Sequence, residues 1–176
     1  SNPFKFNTLL SRYNRDMKAD KILIVAHPDD ESIFFGGLLL QHPGQFKVVL
    51  VTDANADGRG IERMEEFKAA LKRLSVAEYA MLGFPDIYEK RIDHDELMSA
   101  LKNELGGYYK EVYTHNILGE YGHPHHQDVS FVVHKIFLCP VYSTAYNSYP
   151  EKVITLTEDE FKIKSDVLTH IYGEET

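Results

Sequence analysis

Ala26-His27-Pro28-Asp29-Asp30-Glu31 places one imidazole and three carboxylates within five residues. Directly ahead of it, Lys21-Ile22-Leu23-Ile24-Val25 reads as a strand that is apolar on both faces. Such strands belong to covered parallel sheets, whose C-terminal edge takes the ligand. Charge crowded at that edge is costly unless a cation or a substrate compensates it. A plainer account is a solvated turn in which Asp30 or Glu31 complements a helix dipole. Far along the chain, His115, His123, His125 and His126 fall within twelve residues. Imidazole is the commonest transition-metal side-chain ligand and the usual proton carrier near neutral pH. His27, a carboxylate from Asp29 or Asp30, and one of His123, His125 and His126 would supply nitrogen and oxygen donors and leave a position open for catalysis.

Only a fold can unite the two clusters, and the apolar periodicity supplies one. After the first strand the pattern predicts a short helix over 32–40, where Gly36-Gly37 would allow close packing against the sheet. A second buried strand follows over 46–52. Ile61, Met64, Phe67, Leu71 and Leu74 then recur at helical spacing. A strand over 80–83 precedes a helix that Asp93 and Glu96 open and that runs to about Leu105. Another strand over 111–115 precedes a helix expected from near Gln127, with Val129, Val132, Val133, Ile136 and Phe137 as its apolar stripe. Strands over 141–146 and 152–156 come next, and Thr157 with Glu160 forms a capping-box pattern for a last helix over 158–171. The alternation calls for an α/β fold, a Rossmann-like doubly wound and mostly parallel sheet with helices on both faces. The polar runs 27–31, 53–59, 85–86 and 115–126 all follow strands, so they would converge on one rim.

The chain has 176 residues and 43% hydrophobic content. That suits a single domain spanning 1–176, with 1–20 as an N-terminal extension and Ser1-Asn2 a candidate expression remnant; such a domain buries roughly 70% of its unfolded surface. A formal net charge of −8 without any basic run makes nucleic acid and anionic membranes poor partners. No apolar run reaches the ~20 residues needed to span a bilayer. Cys139 is the single cysteine, which rules out an intramolecular disulfide framework. With no signal-peptide core at the N-terminus, a cytoplasmic setting is expected.

The motifs Ala26-His27-Pro28-Asp29-Asp30-Glu31 and Gly122-His123-Pro124-His125-His126 resemble those of the PIG-L or LmbE-like de-N-acetylases, metal-dependent hydrolases of N-acetylglucosaminyl conjugates and related amides. Thr52-Asp53, the helix carrying Arg63 and Glu66, Leu82-Gly83-Phe84-Pro85-Asp86 and Leu156-Thr157-Glu158 extend the likeness over most of the chain. The resemblance implies that His27, Asp30 and His126 bind the metal, that Asp29 is the general base, and that His123 stabilises developing charge. It implies zinc, with iron or cobalt fitting similar donors, and a small amino-sugar conjugate as substrate; a homo-oligomer is compatible with it. Two departures stand out. His125 occupies a position where many relatives have Asp, so Asp128 becomes the candidate for any outer carboxylate role. The loop Asp53-Ala54-Asn55-Ala56-Asp57-Gly58 lacks the glycine-richer form common in relatives.

These roles are chemically coherent. A divalent metal on two imidazoles and one carboxylate keeps net positive charge and lowers a bound water's pKa from about 15.7 to nearer 7. Asp29 would take the proton and return it to the leaving amine. Protonated His123 would act as an oxyanion donor, a contribution of roughly 3–4 kcal/mol. Arg63 and Glu66 lie off their helix's apolar stripe, so Arg63 is a candidate substrate-binding residue, against a solvated ion pair as the alternative. Asp86 ends a strand and could accept from a sugar hydroxyl, against a plain turn role. Tyr121 reads as a packing residue, Glu31 as support for the loop or helix start, and Ser32 has no triad around it. A non-catalytic sugar- or nucleotide-binding metal protein, or a hydrolase of another amide or ester, is the competing reading. A dinucleotide binder is excluded because no glycine fingerprint follows the first strand.

Overall fold

Ile22, Leu23, Ile24 and Val25 leave no face for solvent, and the strand they form lies at the centre of the sheet. The computed structural model describes residues 19–173. Its strands are β1 (Lys21–Val25), β2 (Phe46–Thr52), β3 (Glu78–Phe84), β4 (Glu111–Thr114) and β5 (Val141–Ser143). All pair in parallel, in the order β3-β2-β1-β4-β5, with Leu23 in register with Val48 on one side and Tyr113 on the other. The helices are α1 (Asp30–Gln41), α2 (Gly60–Arg73), α3 (His94–Glu104), α4 (Pro124–Ile136) and α5 (Glu158–Asp166), the last running into a π-helical turn at Val167–Ile171.

Alternation along the strands divides the core between the two faces. Leu23, Val25, Val48, Leu50 and Tyr113 pack with Leu38 and Leu39 of α1, Phe67 and Leu71 of α2, and the C-terminal Val167 and Tyr172. Ile22, Ile24, Val49, Val51 and Val112 pack with Leu97 and Leu101 of α3 and Val129, Val132 and Val133 of α4. The sheet is therefore doubly wound. The chain leaves β1 toward β2 and β3 and later crosses to β4 on the other side, so the order reverses between β1 and β4. That crevice is where open α/β sheets bind ligands.

Four expectations need correction. Helix α4 begins at Pro124, three residues before the expected start, because His123 caps it through its side chain and proline suits the first helical turn. Strand β5 stops at Ser143, since the Thr144 hydroxyl turns away to Glu120 and its carbonyl accepts from Asn116. Residues 152–156 form no strand; the Thr155 carbonyl accepts from Gln41 of α1 at 2.9 Å. Gly36 and Gly37 face this C-terminal segment rather than the sheet, and a Cβ on Gly37 would collide with Leu156. The capping box of Thr157 and Glu160 is present as read. Most of the expected N-terminal extension, up to residue 18, lies outside the described residues.

Candidate active site

Asp29 takes the N-cap position of α1 with φ of 97°, a conformation that few residues other than glycine adopt. Its backbone is held on both sides. The carbonyl accepts from Ser32 and Ile33 N–H, each at 2.8 Å, and the N–H donates to Glu31 Oε2 at 3.1 Å. Glu31 is fully buried, and its Oε1 accepts from the Ser32 hydroxyl and, at 2.9 Å, from Tyr172 OH. Burial pushes the Glu31 carboxyl up to about 7. Support of the loop by Glu31 matches its expected role; the contribution of Tyr172, 141 residues away, had no local signal. Tyr172→Phe removes a buried donor from a carboxylate. It is expected to cost ~1–3 kcal/mol in thermal or urea unfolding, since Glu31 keeps Ser32 but loses its bond across the fold.

Beyond Asp29, the ligand atoms converge. The Asp30 carboxylate accepts the His27 N–H at 2.8 Å and lies 3.5 Å from His27 Nδ1 and 3.3 Å from His126 Nε2. His27 Nδ1 and His126 Nε2 are themselves 3.3 Å apart. Among the described residues, candidate ligand atoms lie mutually within 4.8 Å in three sets: His27, His123 and His126; His27, Asp86 and His125; and Asp30, His115 and His126. Hydrogen-bond partners discriminate among these. Glu120 Oε2 faces His126 Nδ1 at 2.7 Å and His115 Nδ1 at 3.2 Å, so both rings carry a hydrogen there. His126 Nε2 then points its lone pair inward. His115 Nε2 already accepts the Ala26 N–H at 2.9 Å, which occupies its lone pair.

Two imidazole nitrogens and a carboxylate facing one point need a proton or a cation between them to be compatible. Burial opposes charge on His126, yet Asp30 and Glu120 push it up to about 9. Burial also works against ionised Asp30, but the His126 and His115 imidazoles hold its carboxyl well below the usual range. A proton or a divalent cation shared among these groups would meet that need. The donor set of two nitrogens and one carboxylate fits zinc, iron or cobalt, and carboxylate-backed His126 has the outer support such ligands require.

His123 caps α4 by accepting the His125 N–H on Nδ1, so its hydrogen sits on Nε2. Burial and the neighbouring His27, His126 and His125 push it down to about 3. These surroundings disfavour the charged ring, and Nε2 carries the hydrogen that can be donated. Arg63 is buried, with Nη2 3.4 Å from Pro28 O and 4.0 Å from Asp29 Oδ2, so it stands beside Asp29. Glu66 lies 3.8 Å from Arg59. Asp86 is buried, its N–H donates to Asp53 Oδ1, and its own Oδ1 sits 3.5 Å from both His27 Nε2 and His125 Nδ1. Its surroundings are imidazoles rather than a plain turn.

Asp128 contributes no atom to this cluster. Its carboxylate takes Arg91, the Ile92 N–H and His94, which fastens the segment after β3 onto α4. The outer carboxylate is Glu120, six residues before His126 in the loop that follows β4. Its Oε1 also accepts the Asn116 N–H at 2.8 Å. Tyr121 is not packed as expected: it is 64% exposed, with its ring 5.6 Å from that of His126. Gly119 shapes this loop with φ of +70°, and a Cβ there would lie 2.5 Å from His123 O. Gly119→Ala meets backbone as well as an unfavourable φ. It is expected to cost ~1–3 kcal/mol in unfolding experiments and to displace Glu120 and His123.

The family model described as "PIG-L: GlcNAc-PI de-N-acetylase" matches residues 22–137, well over half of the chain. The chain belongs to the PIG-L family. It is 29% identical, over 97% of its length and 78% of the relative's, to the uncharacterized protein L374 of Acanthamoeba polyphaga mimivirus. It is 27% identical over 60% of its length to a probable N-acetylglucosaminyl-phosphatidylinositol de-N-acetylase of Schizosaccharomyces pombe. The match spans 46% of that yeast protein, less than half of it. Among solved structures, this PIG-L chain superposes with a TM-score of 0.64 and 19% identity on the N,N'-diacetylchitobiose deacetylase of Pyrococcus horikoshii, covering 100% of this chain and 80% of that one. At that identity the likeness concerns the fold.

Proposed function

We propose that this PIG-L protein is a metal-dependent hydrolase that removes an N-acetyl group from a small N-acetylglucosaminyl-type conjugate. The observation that carries the reading is the convergence of His27 Nδ1, His126 Nε2 and the Asp30 carboxylate within 3.5 Å of one another, beside Asp29. Membership of the family supports the substrate class. When bound there, a divalent cation, zinc in this proposal, lowers the pKa of water and polarises the acyl oxygen.

The chain's own groups do the remaining work. Asp29 takes a proton from the attacking water and delivers it to the departing amine. Burial and the adjacent Asp30 and Glu31 charges push its carboxyl up, while Arg63 and His27 hold it down. A base tuned above an ordinary Asp can serve in both directions. The His123 Nε2–H donates to the acyl oxygen as charge develops on it. Arg63 orients Asp29 and reaches the substrate's hydroxyls. Asp86, beside His27, accepts from a sugar hydroxyl. One domain over the whole chain, a cytoplasmic setting and the absence of nucleic-acid partners complete the reading, supported by the lone Cys139 and the net charge of −8. Among the described residues, no helix is long and apolar enough to cross a membrane.

The test is acetate release from a panel of N-acetylglucosaminides that differ in aglycone, compared with N-acetylated amino acids. Turnover of the sugars supports the proposal; turnover of the amino acids alone would assign the metal chemistry to another amide substrate.

A further inference from the structure

His125 has no solvent exposure, and both of its nitrogens are committed. Nε2 lies 2.9 Å from Lys90 O and 3.1 Å from Ile87 O. Carbonyl oxygens only accept, so Nε2 keeps its hydrogen. In the neutral ring, Nδ1 then presents a bare lone pair 3.1 Å from His27 Nε2 and 3.5 Å from Asp86 Oδ1. Lone pair and carboxylate repel each other, and the group able to satisfy both is a hydrogen on His27 Nε2. In the neutral ring that hydrogen leaves the lone pair on Nδ1, the atom that faces His126 and Asp30.

We infer that His125 is a positioning residue that fixes the tautomer of His27 and ties it to the segment following β3. This inference rests on the proposed cation site at His27, Asp30 and His126. The segment is gripped from a single helix face. His125 takes its carbonyls at 87 and 90, and Asp128, three residues further along α4, takes Arg91, the Ile92 N–H and His94. Asp86 stands at the start of the same segment. Placement of the His27 ring, the Asp86 carboxylate and this part of the rim is therefore one coupled arrangement. A carboxylate at position 125 would meet two carbonyl oxygens with no hydrogen to offer, so this segment requires a donor there.

The tautomer is read directly by NMR of the imidazole nitrogens in isotopically labelled, zinc-loaded protein. Hydrogens are expected on His27 Nε2 and His125 Nε2, with a nitrogen–nitrogen coupling across the bond between the two rings. A hydrogen on His125 Nδ1, or zinc on His27 Nε2, overturns the inference. Zinc affinity is then measured by competition with a chelator. His125→Leu is expected to weaken it about 10–100-fold, the usual effect of losing an outer partner of a ligand. His125→Gln, which can donate and accept, recovers most of the loss, and His125→Asp does not. Equal affinity in parent and Leu variant, or a Gln variant worse than Leu, assigns His125 to packing and overturns the inference. Two zinc ions per chain would overturn it as well, because the second would need the His125 and Asp86 atoms. A parent that binds no zinc sinks the proposed function together with this inference, whereas unchanged variants of a zinc-binding parent sink the inference alone.

Discussion

Asp29→Asn is expected to keep zinc within a few-fold of the parent's affinity and to lower deacetylation by about 10²–10⁴-fold, the range for loss of a positioned general base. The reason lies in the backbone. Asp29 sits at φ of 97°, and Asn, like Asp, visits positive φ more readily than other non-glycine residues. The substitution therefore preserves the turn and the N–H bond to Glu31. The side chain also stands outside the convergent ligand atoms of His27, Asp30 and His126, so the cation site loses little. What disappears is the ability to take and return a proton. Metal content by elemental analysis and acetate release on the same preparation check both halves. Loss of zinc in this variant would reassign Asp29 as a ligand, and full turnover would remove it from the chemistry.

His126→Ala is expected to lose zinc and turnover together. The side chain contributes one of the three convergent donors, and its other nitrogen takes Glu120 at 2.7 Å. Its removal leaves Asp30 without one of the two imidazoles that hold it ionised and Glu120 without its shortest imidazole contact. The loss in zinc affinity should exceed the roughly 10–100-fold typical of an outer partner. Chelator competition measures it, with circular dichroism to establish that the fold persists. Glu120 keeps Asn116, Thr144 and His115, so the loop should hold. Retained zinc would move the site to another of the histidine sets.

Much of this geometry was legible in the sequence. β1 and β2 announced themselves because continuous apolar runs have no other stable place than a covered parallel sheet. The convergence of the polar runs on one rim followed from that topology, and it brought His27, Asp30, Asp86 and His126 together. Local competition hid other parts. His123-Pro124 at the head of α4 obeys the rule for proline in the first helical turn, yet the histidine cluster drew the start further along. Residues 152–156 carry strand-like composition but satisfy it against α1. Glu120, Tyr172 and the inward face of His125 have no periodicity to betray them. Each acquires its role from a partner distant in sequence or from a loop conformation that only the assembled fold determines. Asp128 was the candidate for an outer carboxylate because His125 stands where many relatives have Asp, but its carboxylate is taken by Arg91.

The most direct measurement is acetate release from an N-acetylglucosaminide by protein stripped with a chelator and then titrated with zinc. Stripped protein should release none, and activity should return in proportion to zinc, reaching its plateau at one ion per chain. His126→Ala should stay inactive throughout the titration. Undiminished turnover by protein shown to be free of metal, or full recovery in His126→Ala, would contradict a cation held by His27, Asp30 and His126.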